Sequence, residues 1–501
     1  AMSKKYCGLL VVFSFLVPCP SFSQSQKIEI IGADALKMDT LHRARKLTGN
    51  VRLKQNDILM SCDSALFYNY VNAVDAFGRV FIHDAQTKVY SDSLKYDGER
   101  KIATLFGNVR VMQDSATLET SKMIYNTELK QAAYDDGGKV IARGMTITSK
   151  RGYYFTSAKD AHFKGAVTVK GKDYEVHTDT LVYNTEAEIA HFYGPAEIYR
   201  PKEKIYCESG WYDTNTEISV FGKNTRLSSE AQRIWADSLY YDNRKGFGQA
   251  YKNFRWTDTT MDVILSGNRA VYYTQQQRIT ATDSALLTYL VDDDSLFLSA
   301  DTLRSREDTI ADVTEFFAYP RVRIFKSSLQ GVCDSLVFSY RDSAIMMYKN
   351  PVLWNDVNQL TGDTISIQLR HEKIDRVELY ENGFIASKAH GELFNQIKGR
   401  HIYGYFKDKK LDRLLAEGNG ESIYYGTDEN EAFIGVNRAA CSSMWIYLKD
   451  EHVSRITFLT QPDAAFYPIQ YVAPKDFLLK GFEWKEELRP RSKADLFATL
   501  R

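Results

Sequence analysis

The stretch Gly49-Asn50-Val51-Arg52-Leu53 returns, with small changes, as Gly78-Arg79-Val80-Phe81-Ile82 and as Gly107-Asn108-Val109-Arg110-Val111. These glycines are spaced 29 residues apart, and further glycines follow at positions 165, 194 and 222. A second phrase recurs between them, for example as Asp92-Ser93-Leu94-Lys95-Tyr96. Self-similarity at this interval indicates a repeat protein whose units are too small to bury an apolar face alone.

Within each unit, apolar residues alternate with polar ones, and this period of two is typical of strands with one buried face. Turn-forming pairs such as Asp97-Gly98 and Asn184-Thr185 separate the strand phrases. Each unit is therefore predicted to be strand, turn and strand, with its glycine opening the second strand. Parallel strands need long crossovers, whereas tight turns join antiparallel neighbours. The sequence thus favours an all-β fold, a folded antiparallel sheet with an elongated apolar interior, over a parallel β-helix with a packed interior.

The charge balance and the N-terminal residues indicate which partners the protein can have and where it is located. Lys and Arg together number 64, as do Asp and Glu, so the formal net charge is zero. A nucleic-acid partner is not expected, because such binders usually carry a basic excess. Residues 1–23 have the basic start, apolar core and small-residue end of a secretory signal peptide. Lipidation at Cys19 is an alternative form of processing. The apolar core is too short to span a bilayer, so we predict an exported protein.

The clarity of the repeat changes along the chain. It is clear over residues 24–230, looser over 231–390 and degenerate over 391–470. Residues 471–501 are polar and are predicted to form a capping tail, because stacked repeats need protected ends.

The cysteines of the repeat occupy equivalent positions. Cys62, Cys207 and Cys333 each precede the acidic residue of the second phrase. Cys62 and Cys207 are five units apart, which is at least about 24 Å at one strand spacing per unit. A disulfide tolerates only about 7 Å between Cα atoms. We therefore predict small, half-buried packing residues and not disulfides.

Candidate chemistry elsewhere is weak. The recurring aspartate is predicted to hydrogen-bond its own backbone at a turn or strand entry. Asp292, Asp293 and Asp294 could bind a divalent cation, but a solvated loop is the favoured interpretation. The sequence contains no HExxH, Cys-x-x-Cys or Gly-x-Ser-x-Gly pattern. We predict no catalytic site, no metal and no cofactor. A basic cluster in the first unit could meet lipid phosphates or simply form a solvated rim, and it comprises Arg43, Arg45, Lys46, Arg52 and Lys54.

The paired phrases resemble the OstA/LptA-type lipopolysaccharide-transport family. One pair is Ser93-Leu94-Lys95-Tyr96-Asp97 with Ala103-Thr104-Leu105-Phe106-Gly107-Asn108-Val109, and another is Asp179-Thr180-Leu181-Val182-Tyr183-Asn184 with Phe192-Tyr193-Gly194-Pro195-Ala196. The resemblance is good over residues 28–225 and extends to about 390. It implies a periplasmic, twisted antiparallel β-jellyroll with a V-shaped cross-section. Such a protein accepts lipopolysaccharide acyl chains between its sheets and passes the molecule towards the outer membrane. This chain is longer than the small periplasmic member and does not resemble the barrel of the outer-membrane member.

The resemblance and the alternating pattern together predict a lipid-binding groove. The expected partners are lipopolysaccharide or a related amphiphile, and other envelope transport proteins joined by edge-strand pairing, with head-to-tail self-association as a further option. Two alternatives stay open: a non-catalytic envelope scaffold with a closed core, and a β-helical polysaccharide-acting enzyme. The predicted groove residues are Val51, Leu53, Phe67, Val80, Ile82, Leu94, Tyr96, Val109, Val111, Met123, Tyr125, Val167, Val169, Leu181, Tyr183, Ala196, Ile198, Leu239 and Tyr241.

Overall fold

The computed structural model describes residues 27–498 apart from 114, 291–293, 309–312, 340, 371–372, 408–409, 429–431 and 450–451. The predicted signal peptide and Asp292 and Asp293 lie outside the described residues. The chain divides into two compact units, the first ending at Asp160 and the second beginning at Ala161.

Unit 1 is built of antiparallel strands, most of which pair with their neighbours in the sequence. The strands are β1 (Glu29–Gly32), β2 (Ala35–Asp39), β3 (Ala44–Gln55), β4 (Ile58–Tyr68), β5 (Ala73–His83), β6 (Thr87–Asp97), β7 (Ile102–Gln113), β8 (Ala116–Asn126), β9 (Gln131–Tyr134), β10 (Gly138–Ala142), β11 (Met145–Ser149) and β12 (Arg151–Phe155).

Unit 2 continues the antiparallel pattern, and the prediction of an all-β antiparallel fold is confirmed. Its long strands are β13 (Asp160–Lys170, beginning at the boundary), β14 (Glu175–Asn184), β15 (Ile189–Arg200), β16 (Glu203–Asp213), β17 (Ile218–Ser228), β18 (Gln232–Asp242), β19 (Phe247–Asp258), β20 (Val263–Tyr273), β21 (Arg278–Tyr289) and β22 (Leu296–Asp308).

In the later part of unit 2, pairs of short strands first replace the long ones, and long strands then return. These strands are β23 (Val313–Tyr319), β24 (Val322–Lys326), β25 (Leu329–Cys333), β26 (Ser335–Ser339), β27 (Ala344–Tyr348), β28 (Val352–Asn355), β29 (Asn358–Thr361), β30 (Thr364–Arg370), β31 (Lys373–His390), β32 (Leu393–Lys407), β33 (Lys410–Thr427), β34 (Phe433–Lys449), β35 (His452–Leu459) and β36 (Asp463–Pro468). Short 3₁₀ helices lie at Thr274–Gln276, Ile469–Tyr471, Pro474–Asp476, Glu486–Leu488 and Ala494–Phe497.

The repeated glycine lies inside a strand, and the prediction that it opens a strand is wrong. In β3 the register shifts between Thr48 and Val51, across Gly49 and Asn50. Both residues have left-handed backbone, with φ of 71° and 45°. Two such residues insert a bulge that bends the strand without ending it. The repeated phrase thus encodes a bend within the strand, which is called the corner below.

Each long strand consequently contributes to two layers. In unit 1, residues 64–68, which follow the corner of β4, pair with residues 73–77, which precede the corner of β5, and such halves form sheet A. The halves after the corner in β3, such as residues 51–55, pair with residues 58–62 and form sheet B. The two sheets meet at the row of corners, and their opposite edges, where the tight turns lie, form a mouth. Inward side chains such as Leu94 and Leu105 are almost fully buried between the sheets.

The recurring aspartate clamps the corner. Asp63 accepts hydrogen bonds from Arg79, with the closest Nη2–Oδ1 distance at 2.7 Å, instead of bonding its own backbone as predicted. The second left-handed residue of the corner is therefore tied to an acidic residue that precedes it in the sequence by 16 positions. The same arrangement joins Asp34 to Asn50, Asp92 to Asn108, Glu208 to Asn224 and Asp237 to Asn253.

The cysteines line the corners and are free. The Sγ atoms of Cys62 and Cys333 donate to the carbonyl oxygens two residues ahead, each at 3.3 Å. Ser91 and Thr120 make the same contact through their hydroxyl groups, at 3.1 and 3.2 Å. The corner thus selects a small side chain that can donate to a carbonyl exposed by the bulge, and cysteine is one of three residues that can do so.

Residues 472–498 form a strap on the outer face of the later part of unit 2. On β25, Gly331 faces Met347 between the sheets, so its neighbour Gln330 faces outward. The outward side chains Gln330, Gln359 and Gln396 are all buried, because the strap covers them.

The glutamines hold the strap by its backbone. Gln396 donates to the Phe477 carbonyl at 2.9 Å and accepts from the Leu479 amide at 2.8 Å. Gln359 makes the equivalent pair of bonds to Glu483 and Lys485. Further along, Ser299 donates to the Leu496 carbonyl at 2.9 Å.

Candidate functional site

An apolar cavity lies between the two sheets of unit 1. Leu53, Met60 and Val89 line it from sheet B, and Leu105 and Met123 line it from sheet A. The strands place these residues there because alternate side chains of each half-strand point inward. The space, counted together with the open solvent at its mouth, amounts to about 730 Å³.

The mouth of this cavity is polar. Lys54, His83 and Asp84 lie on the sheet B side, and Thr127 lies on the sheet A side. The Asp84 carboxylate is held by the backbone amides of Gln86 and Thr87, at 2.8 and 2.7 Å, and shapes its turn. An apolar interior with a polar edge suits an amphiphilic ligand.

Two tyrosines mark the boundary between the interior and the mouth. Tyr96 and Tyr125 both line the cavity and are half-buried. Burial raises the pKa of each phenol above its ordinary value. Both groups therefore stay protonated, as neutral hydrogen-bond donors, at physiological pH.

A second, larger cavity lies within unit 2. Its interior is lined by Ile205, Phe221 and Trp256, and it measures about 1280 Å³ including the mouth. Arg200 and Glu203 lie at its edge and form an ion pair with 3.8 Å between nitrogen and oxygen.

The structure places the predicted groove residues in three settings. Eight line the cavities: Leu53, Ile82, Leu94, Tyr96, Met123 and Tyr125 in unit 1, and Leu239 and Tyr241 in unit 2. Others pack in the core of unit 1, where Val51, Phe67, Val80 and Val109 are buried and Val111 is half-buried. The remainder are buried in unit 2 outside these two cavities: Val167, Val169, Leu181, Tyr183, Ala196 and Ile198.

Several lining residues were not predicted from the sequence. In unit 1 these include Ile28, Met60, Val89, Ala103 and Leu105. All but Ile28 lie on the long strands in the inward register, so extending the alternation by one or two residues would have found them. Whether a residue lies in the packed core or lines the open cavity depends on its distance from the corner. The alternating pattern does not encode that distance.

Within the part of the chain that the structure describes, no three His, Cys, Asp or Glu side chains converge on a point that could hold an ion. In the same described residues, no helix combines the length and apolar character needed to cross a bilayer.

Fold and cavities together define a class: antiparallel β-repeat proteins whose folded sheets enclose apolar space with a polar mouth. Residues 25–179 match the family described as OstA-like protein. The predicted resemblance to the OstA-like family is thereby confirmed over this stretch of the chain.

Among solved structures, the chain is similar to LptH from Pseudomonas aeruginosa. LptH is the LptA-homologous periplasmic component of the conserved lipopolysaccharide transport device of that organism. The two are 20% identical over 21% of this chain and 80% of LptH, with a TM-score of 0.20. No curated protein sequence matches the chain.

Proposed function

We propose that this protein is a non-catalytic periplasmic carrier or bridge that holds the acyl chains of lipopolysaccharide, or of a related amphiphile, between its sheets. It would pass the lipid towards the outer membrane. The observation that carries the proposal is the apolar cavity of unit 1, which lies within the OstA-like stretch.

The energetics favour this role. Each methylene removed from water contributes about 0.8 kcal/mol, so a lipid with several acyl chains cannot cross an aqueous compartment alone. Leu94, Leu105 and Met123 offer an apolar wall without a polar group that a hydrocarbon chain would leave unpaired. A carrier needs such a surface and needs no chemical step.

The mouth supports an amphiphile over a plain hydrocarbon. Lys54 is exposed beside the cavity, on the strand that also carries the exposed Arg45, Lys46 and Arg52. Lipopolysaccharide phosphates are anionic, and a basic edge would hold them in water while the chains lie inside. Lys54 is the member of the predicted basic cluster that lines the cavity, and the lipid-phosphate role is proposed for it.

A scaffold role is favoured for the later part of unit 2. There Met347, Ile365, Leu379 and Met444 are fully buried between the layers, as expected for a tightly packed interior. We therefore assign lipid binding to the two cavities and a structural role to the later strands. Edge pairing with other envelope proteins, or with a second copy, remains part of the proposal.

Site-specific photo-crosslinking tests the proposal. Tyr125, which lines the cavity, would be replaced by p-benzoylphenylalanine, an aromatic residue that needs little repacking. The matched control is Tyr90, which is 40% exposed on the outer face of the same unit. After incubation with lipopolysaccharide and illumination, we expect a lipid adduct at position 125 and none at position 90.

The result also separates the two functions. Equal labelling at both positions, or none at position 125 in a folded protein, would contradict the carrier and leave the scaffold. Mass spectrometry of amphiphiles that co-purify with the protein from its own envelope then identifies the lipid.

A further inference from the structure

Two hydrogen bonds cross the mouth of the unit 1 cavity. The Tyr96 hydroxyl donates to the side-chain oxygen of Gln55. Beside it, the Ile28 amide donates to the side-chain oxygen of Asn72 at 3.0 Å. Both bonds connect residues more than 40 positions apart in the sequence, so neither is a by-product of a local turn.

The partners lie on opposite lips. Gln55 is the last residue of β3, at the edge of sheet B. Tyr96 is the penultimate residue of β6, at the edge of sheet A. Ile28 precedes β1, which pairs with the sheet B half of β3, whereas Asn72 lies in the turn before β5 of sheet A. The bonds therefore hold together the two edges between which a chain must pass.

The mouth of the second cavity shows a different pattern. There Gln232 donates to Asp258 at 3.1 Å, and Tyr241 contacts Thr274 at 3.3 Å. Each of these bonds joins two residues of one lip, so each stiffens an edge without tying it to the opposite one. These two bonds therefore differ from the cross-lip bonds at the first cavity.

We propose that Tyr96 and Gln55 form a latch that must open before an acyl chain enters the unit 1 cavity from the side. The Ile28–Asn72 bond fixes the adjacent end, so that opening is confined to the latch. This inference rests on the proposed function, because it concerns entry of the same lipid. Tyr96 and Gln55 are positioning residues: they control access and bind nothing in the deep cavity.

A latch changes rates more than affinity. Removing one hydrogen bond that must break on entry should speed association by about fivefold. If the lips also part on exit, dissociation accelerates by a similar factor and Kd stays nearly constant. A residue that merely packs against the ligand would instead change Kd.

The first test measures both rate constants by stopped flow with a fluorescent long-chain fatty acid. The full-length protein is compared with Tyr96→Phe, which keeps the ring and removes the hydroxyl, and with Tyr90→Phe as the control on the same strand. We expect faster association and dissociation for Tyr96→Phe, an unchanged Kd, and no effect of Tyr90→Phe.

The second test locks the mouth. The Gln55→Cys/Tyr96→Cys variant is joined by a bis-maleimide that contains a cleavable disulfide. The native Cys62, Cys207, Cys333 and Cys441 thiols are buried. Burial raises the pKa of each thiol, to about 11, 11 and 12 for the first three, so they stay unreactive. The cross-linked protein should lose uptake at the first cavity, and reduction should restore it.

The outcomes are distinct. Wild-type rates for Tyr96→Phe, or undiminished adduct formation at Tyr125 in the cross-linked protein, would overturn the latch while the carrier stands. Failure of the wild-type protein to bind the fatty acid or lipopolysaccharide at any site would overturn the proposed function, and the latch with it.

Discussion

Replacing Gly107 by alanine tests the corner that shapes both sheets. Gly107 has φ of 70°, and a Cβ added there would lie 2.4 Å from Oδ2 of Asp92. The left-handed backbone costs a residue with a side chain about 1–2 kcal/mol. The carboxylate must also move and give up its bond to Asn108, which adds about 1 kcal/mol. We expect Gly107→Ala to destabilise unit 1 by about 2–3 kcal/mol.

The matched control is Gly144→Ala. Gly144 has φ of 80°, but a Cβ there has no neighbour within 4 Å. It should show only the backbone cost of about 1–2 kcal/mol. The double variant Gly107→Ala/Asp92→Ala should recover part of the loss, because the added methyl group then has room.

The assay must report unit 1 alone. All six tryptophans lie beyond residue 160, so tryptophan fluorescence follows unit 2. Hydrogen exchange of peptides from β6 and β7, measured across a urea series, gives the free energy of opening in unit 1. Equal losses for Gly107→Ala and Gly144→Ala, without recovery in the double variant, would refute the clamp.

Three further predictions concern the strap, the thiols and pH. Gln396→Leu removes both bonds to Phe477 and Leu479 and should weaken strap docking by about 1–3 kcal/mol. Trypsin should then cleave faster after Lys480, whereas the control Gln368→Leu should leave the cleavage rate unchanged. Cys62→Ser keeps the bond to the Ser64 carbonyl and should be nearly neutral, whereas Cys62→Ala should lower the urea-derived free energy of unfolding by about 1 kcal/mol. Burial raises the pKa of Cys333 from 9.0 to about 12, so its contribution is present below pH 9 and is lost as the unfolded thiol ionises above it. Unfolding free energy should therefore fall by about 1.4 kcal/mol per pH unit above pH 9 for this thiol, and Cys333→Ser should lessen that slope; an identical slope would contradict the assignment.

The repeat and its alternating pattern were sufficient to predict the antiparallel all-β fold, since both depend on local residue types. The role of Gly49 was misjudged because a left-handed glycine serves equally well at a strand start and inside a bulged strand. Only the register of β3 against β4 distinguishes the two.

The candidate site was predicted only in part, because the sequence indicates which side chains point inward but not how far apart the two sheets lie. Inward register is a property of sequence, and it identified Leu94 and Tyr125. How far apart the sheets lie at a given residue depends on the angle at the corner, which depends on clamps such as Asp92 with Asn108. Val109, close to that corner, is therefore packed core. The Tyr96–Gln55 contact joins different repeats, and no periodicity encodes it.

The strap changes how unit 2 should come apart. In a stack of repeats each rung contacts only its neighbours, so loss of an end rung can spread one step at a time. The strap, however, contacts Gln396, Gln359 and Gln330 in turn and finally Ser299, which is 197 positions from its partner Leu496. The strands β22, β25, β29 and β32 cannot fray without cost to this shared tether, so these strands should melt as a single cooperative block.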